Sequence, residues 1–175
     1  MDYKKITLEK TDNIYYLGFG KYEEKSMTVL GEETFQEMDH AFDTIAGDSA
    51  AKGLILFSHK ENSFLAGMDV SVIQSLDSEQ TAINGCEEVH VIFNKLEDLK
   101  IPTMACVHGI CLGGGLEMIL CCDKIMASDD KEKMLELCRL VSQHGQSIKV
   151  QLLYETSRPT ENVMPKELCE NSDLR

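Results

Sequence analysis

Gly113, Gly114 and Gly115 stand together directly before an amphipathic helical pattern that carries an acid, Glu117, in its first turn. Residues without a Cβ let the chain turn sharply and let a ligand oxygen reach the unpaired N–H groups of a helix start. That end also carries the positive pole of the helix dipole. A carboxylate beside such donors can move a proton while the donors hold the charge that develops. The same pattern has a structural explanation, because a glycine run often makes a tight-packing turn and an acid is favourable in the first turn of any helix. Local pattern alone leaves both open.

Other residue types offer less. His59 and His108 invite an acid–base role, although a histidine beside Gly109 at a strand end is more often structural. Cys121 and Cys122 are adjacent but lack the further paired Cys or His of a metal site, and no C-x-x-C spacing occurs among the seven cysteines. No metal is expected. Most of these cysteines lie in apolar segments, which suits reduced thiols in an intracellular, cytoplasmic setting. A net charge of −13 over 175 residues argues against a general nucleic-acid binder, which needs clustered Lys and Arg. No apolar run approaches the ~20 residues of a bilayer span. The polar start MDYKKITLEKTDN shows no signal-peptide pattern. Charge is uneven along the chain: residues 1–129 hold 10 Lys+Arg against 22 Asp+Glu, whereas 130–175 hold 7 against 8.

The elements that must position these residues follow from periodicity. Residues 3–9 and 13–19 alternate around Thr11-Asp12-Asn13 and predict an antiparallel hairpin, followed by a loop through LGFGKYEEK. From Glu32, Phe35, Met38, Phe42 and Ile45 recur at helical spacing until Gly47-Asp48. GLILF at 53–57 reads as a strand covered on both faces, and HKENSFLAGMD as a loop whose Asp69 caps the next helix. A longer helix is expected over 79–99, ended by Pro102, then a buried strand TMACV, the glycine turn and helix, and a strand KIMAS at 124–128. Strand–helix alternation predicts right-handed crossovers and a largely parallel α/β sheet in one domain. KEKMLELCRLVSQ is helix-compatible, and the remainder is polar and mixed.

Two loops now stand after parallel strands. SFLAGMDV matches an F-x-A-G-x-D loop, and IPTMACVHGICLGGGLEMILCCDKIMAS matches a P-x-x-A-x-x-x-G-x-x-x-G-G-G-x-E segment. In this pairing and its spacing the chain resembles the enoyl-CoA hydratase/isomerase (crotonase) family from about Lys4 to Asp130. EEKSMTVLGEETFQEMDHAF is similar to the hydratase portion of the multifunctional fatty-acid β-oxidation subunit. The resemblance implies a crotonase-like (ClpP/crotonase) spiral of β-β-α units, incomplete at the C-terminus, with residues 1–130 as its core and 131–175 as a divergent tail.

It also implies a site. The backbone N–H groups of Met68 and Gly114 map to the donors that hold a thioester oxygen, Glu117 to the acid that handles the water proton, and Ala66, Gly67 and Gly113 to substrate-binding positions. Lys21, Lys25 and Lys60 are candidates for the phosphates of coenzyme A by position, with solvated surface lysines as the equal alternative. The implied reaction is hydration of a 2-enoyl-CoA to a 3-hydroxyacyl-CoA, or a related isomerisation. Coenzyme A enters as part of the substrate and no separate cofactor is implied. A homo-oligomer of trimer type is the family's habit. Where the family's second glutamate belongs, this chain has Leu137, with Glu136 adjacent. That departure sustains an alternative: an acyl-CoA-binding or assembly module of the same fold without turnover. The charge shift and the end of the resemblance coincide near Asp130, consistent with a tail of separate origin.

Overall fold

The computed structural model describes residues 2–20 and 27–128. Its first elements are β1 (Ile6–Thr11) and β2 (Ile14–Phe19), an antiparallel pair in which Thr11 faces Ile14. Only Asp12 and Asn13 join them, with φ of 51° and 67°. Two successive positive φ values are what a twisted two-residue hairpin turn requires, and Asp and Asn tolerate them. The hairpin expected from alternation is therefore present.

After α1 (Glu32–Ala46), the chain repeats one plan. β3 (Gly53–Ser58) is followed by β4 (Ser63–Leu65) and then by α2 (Val70–Gln74) and α3 (Glu79–Glu97). β5 (Thr103–His108) is followed by β6 (Ile110–Cys111) and α4 (Gly114–Leu120), and β7 (Lys124–Ser128) is the last described element. First strands of each unit join one sheet in the order β1-β2-β3-β5-β7, and second strands pair as β4-β6. All pairings after the hairpin are parallel. This is the crotonase-like β-β-α spiral.

Alternation along the strands gives the large sheet two apolar faces. Leu17, Phe19, Leu54, Leu56, Ala105 and Val107 pack with Met38, Phe42 and Ile45 of α1 and with Phe93 and Leu96 of α3. Ile14, Ile55, Met104, Cys106 and Met126 form a separate cluster on the intervening positions. Strands buried on both faces read as unbroken apolar runs, as GLILF and TMACV do.

Two expectations are revised. The loop predicted over HKENSFLAGMD contains β4, and the glycine turn is preceded by β6. The five described cysteines are all free: Cys106 is buried, Cys111, Cys121 and Cys122 are partly buried, and Cys86 is exposed. The helix-compatible stretch after Asp130, Leu137 and Glu136, Lys21 and Lys25 lie outside the described residues.

Candidate oxyanion and acid site

Both motif loops leave the carboxyl ends of the small sheet. β4 and β6 are parallel neighbours, with Ser63 opposite Ile110 and Leu65 opposite Cys111, so the loops start side by side. The Leu112 N–H donates to the Leu65 carbonyl at 2.9 Å and prolongs the pairing. Close approach then demands glycine. A Cβ on Gly115 would sit 2.6 Å from the Leu65 Cβ and 2.7 Å from its carbonyl oxygen. Gly113, with φ of 49°, makes the turn into α4 that side chains rarely allow.

The first loop is aimed by a neighbouring extended segment. Ala66 N–H donates to Thr28 O at 2.9 Å, Leu30 N–H to Gly67 O at 2.8 Å, and Asp69 N–H to Leu30 O at 2.9 Å. Leu30 and Met68 form a parallel bridge. In such a pairing the bridging residue's own N–H points to the opposite side. The Met68 N–H therefore faces away from Leu30, and among the described residues it donates to no acceptor. Asp69 then caps α2, its carboxylate accepting from Ser71 N–H at 2.9 Å and Ser71 Oγ at 2.7 Å. Those bonds, the hydroxyl's first, hold the Asp69 carboxyl below its ordinary range.

The second loop supplies the matching donor. Gly114 opens α4, where an N–H has no helical acceptor, and among the described residues it too donates to none. A Cβ on Gly67 would lie 3.6 Å from the Gly114 nitrogen. A Cβ on Gly114 would lie 3.9 Å from the Met68 nitrogen and 3.9 Å from Glu117 Oε2. Two unpaired N–H groups and a carboxylate thus border one space. Glu117 reaches it because Gly115, Met118 and Ile119 form the buried side of α4 while Leu116 and Glu117 are exposed. Gly67 and Gly113 form the turns beside it, and the half-buried Ala66 precedes them.

The histidines and Lys60 stand elsewhere in the network. His108 is buried, and its Nε2 donates to the Lys60 carbonyl at 2.6 Å, joining the loops after β3 and β5. His59 Nε2 bonds the Thr7 hydroxyl at 2.8 Å, and its ring packs on Phe57. Lys60 is only 6% exposed, so it is not a solvated surface lysine. Burial pushes the Cys122 thiol up to about 12, with the neighbouring Cys121 and Asp123 adding to it against a Thr103 hydrogen bond. Among the described residues no three His, Cys, Asp or Glu side chains gather as metal ligands, and no helix is long and apolar enough to cross a membrane. Leu30 is the site residue that periodicity did not single out, although Thr28-Val29-Leu30 is an extended-favouring run.

A parallel β-β-α spiral thus turns two main-chain N–H groups, without acceptors among the described residues, and a carboxylate toward one space. The chain belongs to the enoyl-CoA hydratase/isomerase family, whose model matches residues 15–145. It is similar to the fatty acid oxidation complex subunit alpha of Shewanella oneidensis, 40% identical over 111 residues that cover 63% of this chain and 16% of the relative. The corresponding subunit of Shewanella frigidimarina matches to the same extent. The chain therefore spans about 16% of the length of these curated relatives. Among solved structures, an enoyl-CoA hydratase/carnithine racemase from Magnetospirillum magneticum superposes with TM-score 0.67 at 24% identity, covering 74% of this chain and 48% of that one. An enoyl-CoA hydratase from Bacillus anthracis gives TM-score 0.66 at 22% identity, covering 79% and 59%. These two likenesses concern the fold.

Proposed function

We propose that this chain binds the thioester of an acyl-CoA through the Met68 and Gly114 N–H groups and hydrates 2-enoyl-CoA to 3-hydroxyacyl-CoA with Glu117. The observation that carries the reading is the shared space: Glu117 Oε2 and the Met68 nitrogen both lie 3.9 Å from the point in front of Gly114. Glu117 takes a proton as water adds to the β-carbon, and the electron pair of the double bond moves onto the thioester oxygen. The two N–H groups hold that enolate oxygen. Protonation of the α-carbon completes the addition. With Leu137 at the second acid's place, Glu117 itself returns the proton or a group within 129–175 supplies it. Main-chain donors and one carboxylate complete this chemistry, so coenzyme A enters only within the substrate, with Ala66, Gly67 and Gly113 against it.

The same departure at Leu137 favours a second reading, an acyl-CoA-binding or assembly module that has lost turnover. The family's trimeric habit, a core ending near Asp130 and a cytoplasmic setting remain part of the proposal. Calorimetric titration with crotonoyl-CoA and with free coenzyme A tests the binding. Tighter binding of the thioester than of the thiol supports the hydratase and the acyl-CoA-binding readings, and equal or absent binding contradicts both and leaves the assembly module. Consumption of the bound enoyl thioester then separates enzyme from module.

A further inference from the structure

Leu30 is fully buried and stands between the two donor loops. Its main chain grips both neighbours of Met68, donating to Gly67 O at 2.8 Å and accepting from Asp69 N–H at 2.9 Å. Rotating the Met68 peptide would break one of those bonds. Its side chain reaches the other loop: Leu30 Cδ1 is 3.3 Å from the place of a Cβ on Gly114, the nearest heavy atom there. One residue thus touches both loops from a segment that belongs to neither. Gly31, the next residue, is the N-cap of α1, and the Phe35 N–H donates to Gly31 O at 3.0 Å. Leu30 is anchored through that cap to the helix whose Met38, Phe42 and Ile45 fill the main core.

We propose that Leu30 is a positioning residue that fixes the spacing between the Met68 and Gly114 N–H groups and so sets how strongly the site polarises a thioester carbonyl. The proposal rests on the reading of those two groups as thioester donors. Its main-chain bonds orient Met68, and its side chain adds a contact toward Gly114 to the β4–β6 pairing that already brings the loops together. Preorganised donors lose their advantage when they must find their place during reaction, and misplacement on the order of 1 Å costs about 10²-fold in rate. Truncating a buried leucine leaves a cavity into which both loops can relax.

The test compares wild-type protein with Leu30→Ala, the milder Leu30→Val, the conservative Leu30→Met, and Leu96→Ala, an equally buried leucine of α3. Amide NMR of the ligand-free protein reads the Met68 and Gly114 signals directly. Leu30→Ala is expected to move both, Leu30→Val to move both less, Leu30→Met to restore them, and Leu96→Ala to leave them in place. Should Leu30→Ala not fold, the Leu30→Val result decides. With 2,4-hexadienoyl-CoA as probe, the red shift that reports carbonyl polarisation should weaken in Leu30→Ala, with turnover down about tenfold to a hundredfold. Unmoved amides in the Leu30 variants, or equal movement in Leu96→Ala, overturn the proposal. Absence of any red shift in the wild type would instead refute the thioester reading, and the amide signals would still decide whether Leu30 spaces the loops.

Discussion

The Met68 nitrogen lies 3.9 Å from the point that a Cβ on Gly114 would occupy, and Glu117 Oε2 lies at the same distance from it. A methyl group at that point fills the space that both loops border. Gly114 does not have a positive φ, so alanine fits its backbone. Its nearest obstacle is the flexible end of Leu30, 3.3 Å away. Gly114→Ala should therefore lower thioester turnover on the order of 10²-fold or more while thermal unfolding changes little. Kinetics beside a circular-dichroism melt would check this, and a protein that melts early but turns over normally would contradict it.

The next glycine answers differently. A Cβ on Gly115 meets the Leu65 main chain, with the carbonyl oxygen at 2.7 Å, and backbone does not yield as a leucine methyl does. Gly115→Ala should destabilise by about 1–3 kcal/mol through overpacking between α4 and β4. Urea unfolding should show the midpoint falling, and an unchanged midpoint would mean that the loops part at no cost.

Alkaline stability should report Cys122. Burial raises its thiol to about 12 from the ordinary 9.0, so the folded state keeps a proton that the unfolded chain releases. That contribution is complete below pH 9 and is lost as pH climbs toward 12. Cys122→Ala should flatten the decline in stability over this interval. Alkylation at neutral pH should also mark the exposed Cys86 well before Cys122.

Asp48 behaves in the opposite sense. It accepts from Lys10 Nζ, from Tyr15 Oη at 2.9 Å and from Ala50 N–H at 3.0 Å, and these bonds, Lys10 first, hold its carboxyl at about 2 against an ordinary 3.8. A depressed carboxyl contributes stability above its unfolded value and loses it as pH falls through the folded one. The wild type should lose stability between pH 4 and 2, and Asp48→Asn should remove that portion of the slope. Its exposure and salt screening keep the effect small, so identical slopes in 10 mM salt would be the telling contradiction.

Much of this architecture is legible in the sequence because its longer elements run far enough to show a period. The hairpin, α1, α3 and the strands at 53–58 and 103–108 all announce themselves by alternation, helical spacing or unbroken apolar runs. β4 and β6 do not. They are 3 and 2 residues long, too short for any period, and exist as strands because each finds the other across 44 intervening positions. The site shares that fate: the motifs name Met68, Gly114 and Glu117, but their convergence depends on β4–β6 pairing. Leu30 is invisible for the same reason, since its importance lies in what stands beside it. Lys60 looks like any loop lysine until Gly20, the residue after β2, closes over its stem, where a Cβ would come 2.7 Å from Lys60 Cε.

In the proposed reaction Glu117 and the two N–H groups act together on an enoyl thioester. Loss of the enoyl-thioester absorbance of crotonoyl-CoA, followed with the wild type beside Glu117→Gln, tests it most directly. Hydration by the wild type is expected, with a fall of at least about 10²-fold in the variant and binding of the thioester retained. Equal rates in the two proteins, or a folded wild type that binds crotonoyl-CoA without consuming it, would contradict the hydratase reading.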